Sequence, residues 1–221
     1  MEQMIQILFV CIAMPMIPML LILPDKRSRL ILGYMITGAV ICLVAGQINT
    51  LLLHAFGNDM DYVTTTITPI SEELLKAIPI LYFALIFSDD RDTLLSISFA
   101  LGIGFAVLEN ATILTQYIKS VTISWALARV IGAALMHGAC TACVGMGMSY
   151  IRKRRKLFYS GTFALLITAI IFHATFNVLV QSEYRAAALI LPSMVYIPVV
   201  IMTMIRNRKN STDVHTEEQD I

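Results

Sequence analysis

Charge is what this chain has least of. Asp, Glu, Lys and Arg supply 14% of its 221 residues, where a water-soluble domain carries about a quarter. That shortage excludes a solvated globule, because the 57% of apolar residues and the mean hydropathy of +0.76 cannot be hidden in one core of this size. Also missing are a second domain, a repeat of solenoid length and any low-complexity tract. An open basic surface is absent too: the single dense basic run, Arg152–Lys156, sits between two apolar stretches and reads as a topogenic loop, so no nucleic-acid partner is expected. The N-terminus lacks a basic n-region and a small-residue cleavage site, so its first apolar stretch is expected to be a retained span. Cysteines are few. Cys11, Cys42, Cys140 and Cys143 all lie in apolar segments, and Cys140-x-x-Cys143, despite its redox or metal spacing, reads as helix packing.

What the chain does have is apolar runs of helical length. Seven candidate spans fall near 4–23, 30–56, 62–87, 93–117, 123–150, 158–180 and 186–205, separated by short polar breaks. The expected fold is all-α, a polytopic transmembrane helical bundle of about seven spans. Residues 1–205 form one domain, and 206–221 form a polar cytoplasmic tail. Counted over alternate loops, twelve Lys and Arg lie on one side, at 26–29, 91, 152–156 and 206–209, against Lys119 and Arg185 on the other. The positive-inside rule then places the N-terminus outside and the C-terminus in the cytoplasm.

The remaining two cations, Lys76 and Arg129, fall inside spans, together with Glu72, Glu73, Glu109, His137, His173 and Asn177. An ionisable group at membrane depth costs at least ~2.5–3.5 kcal/mol on insertion scales, so these groups must pair or line a wet cavity. Glu72 and Lys76 are i,i+4 on a helix and Glu73 and Lys76 are i,i+3; Lys76 can neutralise one acid and leave the other for proton transfer. Pro69 and Pro79 bracket this turn and loosen the span around it. An ion-pair staple or a coupling-ion site would use the same residues. Phe105 and Glu109 share a face of the fourth span, where Gly102 and Gly104 permit close helix approach, and Glu109 could pair with Arg129 or Lys76. Arg129 and His137, eight residues apart, point roughly the same way. His173 and Asn177 stack on one face and could polarise a carbonyl oxygen, or simply bond across the bundle. Asn49 and Gln47 are weaker candidates for a cavity wall, while His54 and His215 read as solvated.

Four blocks in order, Glu72-Glu73-x-x-Lys76, Phe105-x-x-x-Glu109-Asn110, His137 in a Gly/Ala-rich span and His173-x-x-x-Asn177, resemble the PrsW family of intramembrane peptidases, in the CAAX-protease and bacteriocin-processing superfamily. The likeness spans the third to sixth segments. It implies an intramembrane endopeptidase in which Glu72 or Glu73 is the general base, Glu109 and His137 place the water, and His173 and Asn177 hold the oxyanion. Lys76, Phe105, Asn110 and Arg129 would support them. A glutamate-activated water is the expectation, with zinc on His137, His173 and a Glu as the alternative, although no His-Glu-x-x-His motif fixes two ligands on one turn. The implied partners are the lipid bilayer and a membrane-anchored protein substrate, such as an anti-sigma factor. The implied location is a multi-pass position in a bacterial plasma membrane. Two other classes compete: an ion-coupled transporter, for which the halves show no repeat symmetry, and a non-catalytic scaffold.

Overall fold

The structure is a computed structural model that describes residues 2–152, 154–184, 186–188 and 190–197. Among these residues there is no strand. The helices are α1 (Glu2–Ala13), α2 (Met16–Ile22), α3 (Lys26–Ala55), α4 (Met60–Tyr62), α5 (Thr68–Ile86), α6 (Arg91–Gln116), α7 (Ile123–Met148), α8 (Arg155–Leu157) and α9 (Phe163–Gln181). π-helical turns at Val63–Ile67 and Phe158–Thr162 join α4 to α5 and α8 to α9. Short side chains set the starts of the long helices. Asp25 accepts from the Ser28 N–H, Asp90 from the Thr93 N–H and Thr122 from the Trp125 N–H. The two hydrogen bonds from Ser28 hold the Asp25 carboxyl below its usual range.

Five helical stretches are long and apolar enough to cross a membrane: Gln3–Ile22, Lys26–Ala55, Arg91–Gln116, Ile123–Met148 and Phe158–Gln181. The protein is a multi-pass membrane protein. The third predicted segment is helical as well, but α5 carries Glu72, Glu73 and Lys76 within its 19 residues and is set apart from the five by that charge. Of the seventh, Ala186–Ile197 is a shorter apolar helix, and 198–205 lies outside the described residues, as do the tail 206–221 and His215. Large apolar side chains cover the outside of the bundle, among them Leu21, Ile78, Ile123 and Ile131. A bilayer is the solvent that such a surface fits.

The centre of the bundle is α6, packed most extensively on α7 and α3. Glycine makes that closeness possible. A Cβ on Gly38 of α3 would fall on the Leu101 carbonyl, and one on Gly104 of α6 on the Met35 carbonyl. One apolar cluster joins Ile80, Leu94, Ile97, Leu101, Met136, Val144 and Phe176; a smaller one joins Ala39, Cys42, Ala45, Phe105 and Leu108, with Ile5, Leu8, Phe9 and Ile12 of α1 laid over it. Of the charged residues of α5, Lys76 lies over Phe105 of the smaller cluster and Glu73 reaches His173 of α9.

Candidate active site

Lys76 is fully buried, and its ammonium needs acceptors on every side. It finds three. Its Nζ donates to Glu73 Oε1 at 2.5 Å and to His137 Nδ1 at 2.9 Å, and sits 4.7 Å from the centre of the Phe105 ring. An ammonium only donates, so His137 Nδ1 is the acceptor and the imidazole proton belongs on Nε2. That nitrogen is 3.1 Å from Glu109 Oε2, to which it donates. The same oxygen of Glu109 is 3.8 Å from the Arg129 guanidinium. Charge therefore alternates along Glu73, Lys76, Glu109 and Arg129, with neutral His137 bridging Lys76 and Glu109, across α5, α6 and α7, which is how charge is accommodated at membrane depth.

Glu73 uses Oε1 twice. The second donor is His173 Nδ1 at 2.8 Å, from α9. With its proton on Nδ1, His173 turns a lone pair on Nε2 toward Glu72, whose Oε2 is 3.9 Å away. Glu72 itself accepts at Oε1 from Asn49 Nδ2 of α3 at 3.0 Å, and the Asn49 carbonyl oxygen in turn accepts from Ser71 at 2.6 Å. Glu72 Oε2 is buried and has no hydrogen-bond partner among the described residues. The rings of His137 and His173 meet edge to face at 4.8 Å. Two buried acceptors, Glu72 Oε2 and His173 Nε2, thus face one small space.

Glu72 also borders a cavity of about 1040 Å³. Glu72, Glu109, Phe105, Arg129, Asn49 and Asn177 line it, and it rises past Asp61, Gln116, Tyr117, Ser120, Trp125 and Gln181. Those upper residues mark the end of the bundle where α3, α6 and α9 finish and α5 and α7 begin. It is the end opposite the basic breaks.

Of the ten residues predicted from sequence, Glu72, Phe105, Glu109, Arg129 and Asn177 line the cavity, while Glu73, Lys76, His137 and His173 are buried in the polar network that includes Glu109. Asn110 does not line the cavity: it is buried and its amide makes no hydrogen bond among the described residues. Asn177 is present but held apart from His173, donating one amide hydrogen to the Thr64 carbonyl at 2.9 Å. Thr64 lies in the first π-helical turn and also accepts from Gln181, at its hydroxyl. Nothing in the sequence signals this contact. The Asn49 contact had a signal, a lone amide in an apolar span. Gln47, beside it in sequence, is exposed and does not line the cavity, and His54 is exposed as expected.

The profile of PrsW family intramembrane metalloproteases matches residues 26–204, most of the chain. The chain belongs to the PrsW family. No curated protein and no solved structure matches it. Membership makes it a membrane protease, with a bilayer around it and a membrane protein as its substrate. Within this PrsW protein the match begins at the N-terminus of α3, so α1 and α2, although packed against the site helices, lie outside the matched segment. The family's description as a metalloprotease can be tested against the side chains. Glu72, His137 and His173 each bring a ligand atom within 4.8 Å of the other two. The partnerless Glu72 Oε2 and the His173 Nε2 lone pair suit a divalent ion directly, while His137 would have to exchange one of its two hydrogen bonds. Glu73, donating nothing and accepting from His173 Nδ1, fixes that ring as a carboxylate behind a histidine ligand does. The residues fit a metal.

Proposed function

We propose that this PrsW protein is an intramembrane endopeptidase of a bacterial plasma membrane. In this reading it hydrolyses a peptide bond of a single-span protein, such as an anti-sigma factor, with Glu72 as the general base. The observation that carries the assignment of the base is the unpartnered Oε2 of Glu72, 3.9 Å from the His173 Nε2 lone pair, on a residue that borders the cavity. Glu73, by contrast, is absent from the cavity lining, and its Oε1 is committed to Lys76 and His173.

A water between Glu72 and His173 gives one proton to Glu72 Oε2 as its oxygen adds to the substrate carbonyl carbon. The carbonyl π pair moves to oxygen. Asn177 has one amide hydrogen on Thr64 and a second free for that oxyanion. His173 Nε2, a lone pair in this tautomer, accepts the water's other hydrogen and orients its oxygen toward the carbonyl carbon. Breaking of the C–N bond sends the proton from Glu72 to the leaving amine, so the acid and the amine together contain the water. His137 and Glu109 border the water site and, with Lys76, keep Glu73 and His173 in register. A divalent ion such as zinc, held by Glu72, His137 and His173, would supply Lewis-acid polarisation of the carbonyl and acidify the water.

The cavity mouth lies at the bundle end remote from Arg91, Arg152 and Arg154. By the positive-inside rule it opens away from the cytoplasm, and cleavage falls at the outer juxtamembrane end of the substrate. The test is cleavage of single-span substrates by purified protein in liposomes, comparing wild type with Glu72→Gln and His173→Ala, each with and without a chelator. Both substitutions should abolish cleavage. Loss with chelator and recovery with zinc assigns the water to the metal; indifference to chelator leaves it to Glu72 alone. Full activity of Glu72→Gln would sink the assignment of the base, and silence of wild type across the substrate panel would sink the peptidase reading.

A further inference from the structure

Beside the main cavity is a second, smaller one of about 250 Å³. Trp125, Ala128 and Arg129 of α7 form one wall; Phe176 and Val180 of α9 form another; Ala186 closes part of the rim. Apart from Arg129, every one of these is apolar or, for Trp125, largely so. Trp125, Arg129 and Val180 also line the large cavity, so the two spaces adjoin through shared walls.

Arg129 stands at that boundary in an unusual state. Its side chain is only 13% exposed, its contact with Glu109 is a long 3.8 Å, and its buried Nε has no hydrogen-bond partner among the described residues. A guanidinium presents five N–H donors, and leaving one buried without an acceptor is unfavourable. Something that brings an acceptor to this wall would relieve it. Neighbouring alanines keep the pocket open, since longer side chains at 128 or 186 would fill it.

Resting on the peptidase reading above, we infer that this side pocket is the substrate's specificity subsite. It takes one large apolar side chain, of the Leu or Phe class, beside the scissile bond, while Arg129 at its rim donates to a main-chain carbonyl of the same segment. A peptide chain lying in the main cavity alternates side-chain directions, so one side chain entering the side pocket fixes which bond reaches Glu72. A wholly apolar pocket with one rim donor is the pattern of a site that selects by size and orients by a single hydrogen bond.

The experiment uses the full chain in liposomes and a set of single-span peptides, identical except for Gly, Ala, Leu or Phe at each position around the cleaved bond. Wild type should prefer Leu or Phe over Ala at one position, on the order of 10-fold or more in kcat/KM, as apolar pockets do per methylene or two. Ala128→Phe should erase that preference while Ala-containing peptides are still cut. Ala186→Phe, at the rim, repeats the test should the first variant fold poorly. Equal cleavage of all peptides by wild type, or a preference unchanged in both variants, overturns the subsite and leaves the peptidase reading standing; the latter result gives the pocket to a lipid chain or to packing. Silence of wild type toward every peptide overturns both.

Discussion

Glu72 and Glu73 are adjacent in sequence yet have opposite surroundings. Glu73 is bound to a buried cation and a histidine; Glu72 has an amide on one oxygen and no hydrogen-bond partner at the other among the described residues. The two should therefore fail differently when altered. Glu72→Gln keeps size and the Asn49 contact, so cleavage should vanish while the thermal midpoint in detergent barely moves. Lys76→Met leaves Glu73 buried with its main counter-charge gone, and Glu73→Gln does the same to Lys76. Each should lower stability by about 3–5 kcal/mol, as breaking a buried pair does from one side. The double change Glu73→Gln with Lys76→Met should recover much of that loss, because neither charge remains to be stranded. Thermal unfolding of the four proteins followed by circular dichroism checks it. Additive losses would mean that the pair is not coupled as its geometry implies. None of this choice between partners could be read from the sequence: Lys76 is within helical reach of both acids at i−4 and i−3, and only the positions of α7 and α9 decide between them.

At the scale of the helix, the site depends on how near α6 comes to α7. Gly102 faces the backbone of His137, and a Cβ there would meet the His137 carbonyl and the Gly138 Cα. Backbone cannot turn aside as a side chain can. Gly102→Ala should push α7 outward, stretch the His137 bonds to Lys76 and Glu109, and destabilise by about 1–3 kcal/mol, the usual penalty of overpacking. Activity should fall more steeply than stability, since proton transfer needs hydrogen-bond distances. Cleavage rate and unfolding midpoint measured on the same preparation separate the two effects; a rate near that of wild type would show that α6 and α7 have slack at this level. Helical periodicity made much of this readable in advance. It put Phe105 with Glu109 and His173 with Asn177 on shared faces, and hydropathy located the long helices closely. Periodicity gives direction about one axis only, however. It holds no information on the rotation of α9 that sends His173 to Glu73 and Asn177 to Thr64, or on the π-helical turn that presents the Thr64 carbonyl. Asn110 shows the same limit: next to Glu109 in sequence, it lies roughly 100° around the helix and misses the cavity.

For the molecule as a whole, the arrangement of charge and the arrangement of the cavity point the same way. Basic residues gather at one end of the bundle, at Lys26–Arg29, Arg91, Arg152 and Arg154, while the mouth of the cavity, between Asp61, Gln116, Ser120 and Gln181, lies at the other. By the positive-inside rule these charges predict which way the chain inserts, and the direction of insertion would set which side of the membrane delivers the substrate. A single cysteine reports each end. In a chain whose exposed native thiol is removed by Cys11→Ser, a thiol at Ser120 should react with a membrane-impermeant maleimide added outside intact cells, and one at Arg154 should react only after the membrane is opened. A bulky reagent at 120 should also block cleavage, because it stands in the path to Glu72. Labelling of Arg154→Cys from outside would invert the topology and place the cleaved bond on the cytoplasmic side. Labelling at both positions would show that the chain inserts in two orientations, and the charge asymmetry could no longer explain why the cavity faces one way.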